Sequence, residues 1–203
     1  SSPRRAFRFH SGEGSSSFVT GVTITGGAGY DEGGAVLCEN AGPKFVNCII
    51  TGNSALISGG AIAAISGSNV TLINCVVAAN IAGSSGGAIY AADSDSTVTN
   101  CTILGNKAAD YGGAIAVGYA ADVIARNCII RQNRASQGAQ LALLPASASS
   151  LMVLTGNIEG GAEAVLVAPG CTLNWPAGSI DADSLFVSDG QWLSDDTYSI
   201  GNW

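Results

Sequence analysis

Apolar residues recur along this chain in a fixed relation to a glycine pair and two asparagines. Gly-Gly-Ala followed by Val or Ile occupies Gly33–Val36, Gly59–Ile62, Gly86–Ile89 and Gly112–Ile115, with a weaker copy at Gly138–Leu141. The steps from Val36 to Ile62, Ile89, Ile115 and Leu141 are 26, 27, 26 and 26 residues. Asn-Cys keeps the same period at Asn47-Cys48, Asn74-Cys75, Asn100-Cys101 and Asn127-Cys128. A third column places an aliphatic residue three positions before an Asn: Ile50/Asn53, Val77/Asn80, Ile103/Asn106 and Ile130/Asn133. Leu154/Asn157 continues it, with Met152 at the cysteine position.

Between these landmarks the apolar positions alternate. Three residues before each Cys stand Phe45, Leu72, Val98 and Ala125, and one further back stand Lys44, Thr71, Thr97 and Ile124. Two residues after each Cys stand Ile50, Val77, Ile103 and Ile130. A period of two marks a half-buried strand. The inward parity changes across the Asn of Asn-Cys, so a bend is expected there. One strand starts at the glycine pair, a second ends at that Asn, and a third runs from Cys to the second Asn. A variable loop through 54–58, 81–85, 107–111 and 134–137 returns the chain to the next glycine pair.

A unit of this length cannot bury its own apolar face and must stack on copies of itself. The expected fold is all-β, a right-handed parallel β-helix of about six coils of 26–27 residues with a C-terminal cap. Residues 1–17 are expected as an extension or edge strand, 18–170 as the β-helix, and 171–203 as the last coil and cap. Trp175, Phe186, Trp192, Tyr198 and Trp203 are the expected covering of the C-terminal end.

Composition narrows the function. Only 11% of the 203 residues are charged, and the net charge is −7. Nucleic-acid binding needs a basic footprint that this balance lacks. No apolar run reaches the ~18 residues of a membrane-spanning helix. Small residues, 28 of them Gly, suit tight turns and stacked strands.

The columns carry their own chemistry. Asn47, Asn74, Asn100 and Asn127, like Asn53, Asn80, Asn106 and Asn133, suit bends because Asn tolerates a positive φ, and stacked amides can hydrogen-bond along a ladder. Asn69-Val-Thr71 and Asn100-Cys-Thr102 match the glycosylation triplet, and the second is discounted as part of the inner ladder. Cys48, Cys75, Cys101 and Cys128 are expected as an inward stack of reduced thiols. Parallel side-chain vectors suit a disulfide poorly, and a line of sulfurs is not a tetrahedral zinc site. No metal and no cofactor are expected.

The lone histidine, His10, precedes the repeats, and no nucleophile–base set assembles within them. Arg126 and Arg131, with the acidic pair Asp93 and Asp95, are the glycan-binding candidates, since Arg pairs well with carboxylates.

The units Ile50-Thr-Gly-Asn53 and Ile103-Leu-Gly-Asn106, each followed by Gly-Gly-Ala-Ile, resemble the FxxN and GGAI repeats of polymorphic outer-membrane proteins, with an aliphatic residue for Phe. They are also similar to bacterial repeat proteins of the pectate-lyase-like superfamily. The tail Asp183-Ser-Leu-Phe-Val187 with Gly190-Gln-Trp-Leu193 resembles the segment that closes such helices. The resemblance implies secretion or surface display, and often adhesion. The calcium-binding Asp cluster of the lyases and the Asp and His residues of the polygalacturonases have no matching positions here.

The expected function is therefore a secreted or cell-surface structural or adhesive solenoid without catalytic activity. It could join homo-oligomers or filaments through its ends or lateral faces. The alternative is a polysaccharide lyase or hydrolase, or a carbohydrate-binding module.

Overall fold

The computed structural model describes residues 4–29, 31–145, 148–184 and 190–199. The chain winds as a parallel solenoid with three faces. The first face has seven rungs: Phe7–Phe9, Val36–Glu39, Ile62–Ser68, the start of Ile89–Thr99, Ile115–Gly118, Leu141–Leu143 and Leu166–Val167. The second face is bent. Lys44–Val46 and Ile49–Thr51 form one of its rungs, Thr71–Ile73 and Val76–Ala78 the next, and Asp122–Arg131 and Ser150–Ile158 later ones.

The stretch expected as a variable return loop instead holds a third, narrow sheet. Its rungs are Ala28–Gly29, Ser54–Ala55, Ile81–Ala82 and Lys107–Ala108. Ala55, Ala82 and Ala108 point inward there and are buried.

Like residues superimpose from coil to coil. Val36 pairs with Ile62, Ile62 with Ile89, Ile89 with Ile115, and Ile115 with Leu141, all fully buried. Phe45, Leu72 and Val98 stack in the same way on the second face. Each buried aliphatic side chain contributes about 1.5–3 kcal/mol, and the stacking gives the rod one continuous core.

The inward parity changes where expected: Asn47, Asn74, Asn100 and Asn127 all have φ between 50° and 55°. The second Asn column is different, because the positive φ there belongs to the preceding residue, Gly52, Ala79, Gly105 or Gln132.

Two expectations are corrected. From Asp122 to Ser150 the register step lengthens to 28 residues, so Met152 lies beside Ile124 and Gly156 takes the place below Cys128. Asn157 lies beside Ile129 and so leaves the second Asn column. The extra length falls between Leu143 and Ser150, where Pro145 interrupts the strand pattern.

The tail does not all cover the end. Trp175 packs against the last core residues, but Gln191–Trp192 and Tyr198–Ser199 form a small antiparallel pair laid along the flank. Trp192 Nε1 donates to the Gln132 carbonyl (2.9 Å), the Tyr198 hydroxyl donates to the Gln132 side chain, and Asp196 pairs with Lys107. Phe186 and Trp203 lie outside the described residues. Phe7–Phe9 is the first rung of the first face, in register with Val36–Cys38.

Candidate functional site

The two Asn columns divide their work. The outer one, Asn47, Asn74, Asn100 and Asn127, is exposed and supplies the bend, which corrects the assignment of Asn100 to the inner ladder. The inner column is a buried, directional chain of amides. Asn53 Nδ2 donates to Asn80 Oδ1, Asn80 Nδ2 to Asn106 Oδ1, and Asn106 Nδ2 to Asn133 Oδ1, each at 2.9 Å. The backbone N–H of each donor residue bonds the same oxygen. Asn53 Oδ1 in turn accepts the Gly27 N–H (2.8 Å).

Every amide-to-amide link in this chain donates toward the C-terminal coils, where a fifth Asn is missing. Gln140 replaces it: Asn133 Nδ2 donates to Gln140 Oε1 (2.7 Å), and Gln140 Nε2 donates to Glu159 Oε2 (2.9 Å). A carboxylate thus stands at the donor end of the aligned amides, the favourable sign for their dipoles. Sequence periodicity could not find this relay, because neither residue repeats.

The thiols build the other corner by the same geometry. Cys48 Sγ bonds the carbonyls of Val46 and Val19, Cys75 those of Ile73 and Phe45, and Cys128 those of Arg126 and Val98. Asn53 likewise bonds the carbonyls of Thr51 and Ile24. A side chain that donates back two residues and down one coil closes each corner, amide at one and thiol at the other.

Cys38, Cys48, Cys75, Cys101 and Cys128 are buried free thiols. Burial pushes Cys38 up to about 12 and Cys128 up to about 11. The side-chain hydrogen bond with Cys101 instead lowers Cys75 to about 7. Reaction needs access as well as thiolate, and all five side chains are shut off from solvent, so these cysteines are expected to be inert in the native rod. In a Cys171→Ser variant, DTNB is expected to titrate no thiol natively and five after denaturation. Rapid native labelling of more than one would contradict the burial.

The sequence-derived glycan set does not come together. Asp95 pairs with Asp122, and Thr99 with Arg126, on the same two strands. At ~3.3 Å per residue, Asp95 and Arg126 are therefore on the order of 14 Å apart. Asp93 is exposed at the bulge within the strand Ile89–Thr99, with φ 49°. Arg131 lies beyond the Asn127 bend and is held by Asp181 (2.7 Å) and Asn157 (3.1 Å). The Arg131 hydrogen bond keeps the Asp181 carboxyl below its usual range. Arg134 stacks over Trp192 at 4.4 Å. Two of the three arginines on this coil thus fasten the tail.

A different cleft, of about 330 Å³, lies where the third corner meets the outer surface of the first face. Its floor is the column just before the glycine pairs, Glu32, Ser58, Ser85 and Tyr111, joined rung to rung. Tyr90 and Tyr119 complete its wall. Ser58, Ser85 and Tyr90 are buried, and Tyr119 is 65% exposed. Burial, then the charges of Asp31 and Glu39, hold the Glu32 carboxyl above its usual range. Burial and then Glu32 push Tyr90 up to about 12.

The arrangement offers aromatic faces beside hydroxyls and one carboxyl, a combination suited to a ligand with both C–H faces and hydroxyl groups. Sequence reading missed it because the identities in this column do not repeat. The clustering of Tyr90, Tyr111 and Tyr119 within 30 residues was the available signal.

Stacked parallel rungs with buried amide and thiol corners define a β-solenoid. The family model described as the right handed beta helix region matches residues 10–162, and the chain belongs to that family. No curated protein and no solved structure gives a significant match.

Proposed function

We propose that this chain is a secreted or cell-surface structural solenoid that adheres to a neutral glycan through the tyrosine cleft of its first face. The observation that carries the reading is the juxtaposition of Tyr90, Tyr111 and Tyr119 with Ser58, Ser85 and Glu32 in one concavity. The coils supply a rigid backing for it, since each rung is fixed by its neighbours through the whole rod. Polyanions are disfavoured by the net charge of −7 and by the Glu32 carboxyl at the cleft.

The test is a panel of neutral and acidic oligosaccharides against the intact chain and Tyr119→Ala. Tyr119 is exposed, so its removal leaves the core intact. Neutral glycans are expected to bind, with affinity at least about tenfold weaker in the variant and an unchanged Tm, since one lost aromatic contact is worth about 1.4 kcal/mol. Binding that ignores this substitution, or no binding across the panel, would overturn the reading.

A further inference from the structure

The thiol column has a property that neither the disulfide nor the zinc geometry uses. Cys48, Cys75, Cys101 and Cys128 occupy equivalent places on four successive coils, each about 1% exposed. Each sulfur bonds the carbonyl two residues back, that of Val46, Ile73, Thr99 or Arg126, and so repeats with the rung spacing, ~4.8 Å. Between Cys75 and Cys101 the contact is direct, for Cys101 Sγ accepts the Cys75 N–H at 3.4 Å.

This spacing is far too long for an S–S bond, which needs ~2.05 Å. It is also wrong for a tetrahedral ion, because among the described residues no three His, Cys, Asp or Glu side chains converge. Two metal–sulfur bonds of about 2.3 Å laid end to end, however, span ~4.6 Å. Soft thiolates select soft d10 cations, many of which prefer two ligands in a line.

We propose that neighbouring sulfurs of the Cys48–Cys75–Cys101–Cys128 column form linear two-coordinate sites for a soft d10 cation, each ion lying between two coils. Two S–H bonds break, two S–metal bonds form, and two protons leave to solvent, with no change of oxidation state. A divalent ion then gives a neutral bis-thiolate, the form an apolar core accepts without a counter-ion. The S–H bonds to the corner carbonyls are given up in exchange. Since each ion takes two sulfurs, four thiols saturate at two ions.

The experiment refolds the full chain with Hg²⁺, in a Cys38→Ala, Cys171→Ser background, dialyses it against a competing monothiol, and counts retained ions by native mass spectrometry. Two pair variants with the same number of thiols decide the matter. Cys48→Ala/Cys75→Ala leaves the adjacent pair Cys101 and Cys128, whereas Cys75→Ala/Cys128→Ala leaves Cys48 and Cys101 two rungs apart. Circular dichroism verifies that both refold. The four-thiol chain is expected to retain two ions, the adjacent pair one with release of two protons, and the separated pair none, while Zn²⁺ is lost from all three. Equal retention by the two pair variants, retention by neither, or retention of Zn²⁺ would overturn the proposal.

Discussion

Asn106→Ala is expected to lower the free energy of unfolding by about 4 kcal/mol, more than most single substitutions. The side chain it removes sits in the middle of the buried amide chain. Its loss strips the acceptor from the backbone N–H of Asn80, one acceptor from Asn80 Nδ2, and one of the two donors from Asn133 Oδ1. The carbonyls of Val77 and Leu104 also lose a partner. Each buried polar group left unmatched costs about 1–3 kcal/mol, and partial relaxation keeps the total below the sum. Asn100→Gly provides the contrast. It deletes an exposed amide at φ 55° and supplies a residue that adopts this conformation freely, so a change below about 1 kcal/mol is expected. Urea unfolding of the two variants measures both. Similar losses would mean that the columns do not divide bend from brace as described.

The second large effect concerns the glycine pairs. Gly87→Ala is expected to cost about 4 kcal/mol or more, or to prevent folding outright. The second glycine of the pair does not have a positive φ. Its constraint is room: a Cβ there would press on the Gly113 carbonyl and stand 2.6 Å from the Lys107 backbone. These are backbone atoms of the third corner and the next coil, which cannot swing aside as a side chain would. Overpacking of this kind exceeds the usual 1–3 kcal/mol of a crowded core side chain. Gly21→Ala, at φ 65° with open space around it, is expected to cost only about 1 kcal/mol. Expression and Tm of the two proteins distinguish them, and a stable Gly87→Ala chain would show that the coils are less tightly stacked.

The fold was readable because its constraints repeat. A glycine pair that another coil presses on, an Asn at a positive φ and an aliphatic residue over an aliphatic residue recur every 26 or 27 residues, and the rungs superimpose them. What does not repeat was not readable. The narrow third sheet has two-residue rungs, too short for alternation, although Ala55, Ala82 and Ala108 mark it in retrospect. Coil five slipped because Pro145 and the lengthened step precede it, leaving Gly156 without a corner side chain. Arg131 looked available to a ligand because its partner, Asp181, lies 50 residues on in a segment without repeat pattern. The tyrosine cleft joins residues from five successive coils at different offsets, so no single column announced it.

Distances between spin labels, introduced as unnatural amino acids on the outer second face, test the winding most directly. Lys44, Thr71, Thr97, Ile124 and Met152 stand on five consecutive rungs. Labels at 44 and 152 are expected at roughly 19 Å, and labels at 44 and 124 at roughly 14 Å, each rung adding ~4.8 Å. Broad or long distances that do not grow by one rung spacing per coil would contradict the stacked solenoid.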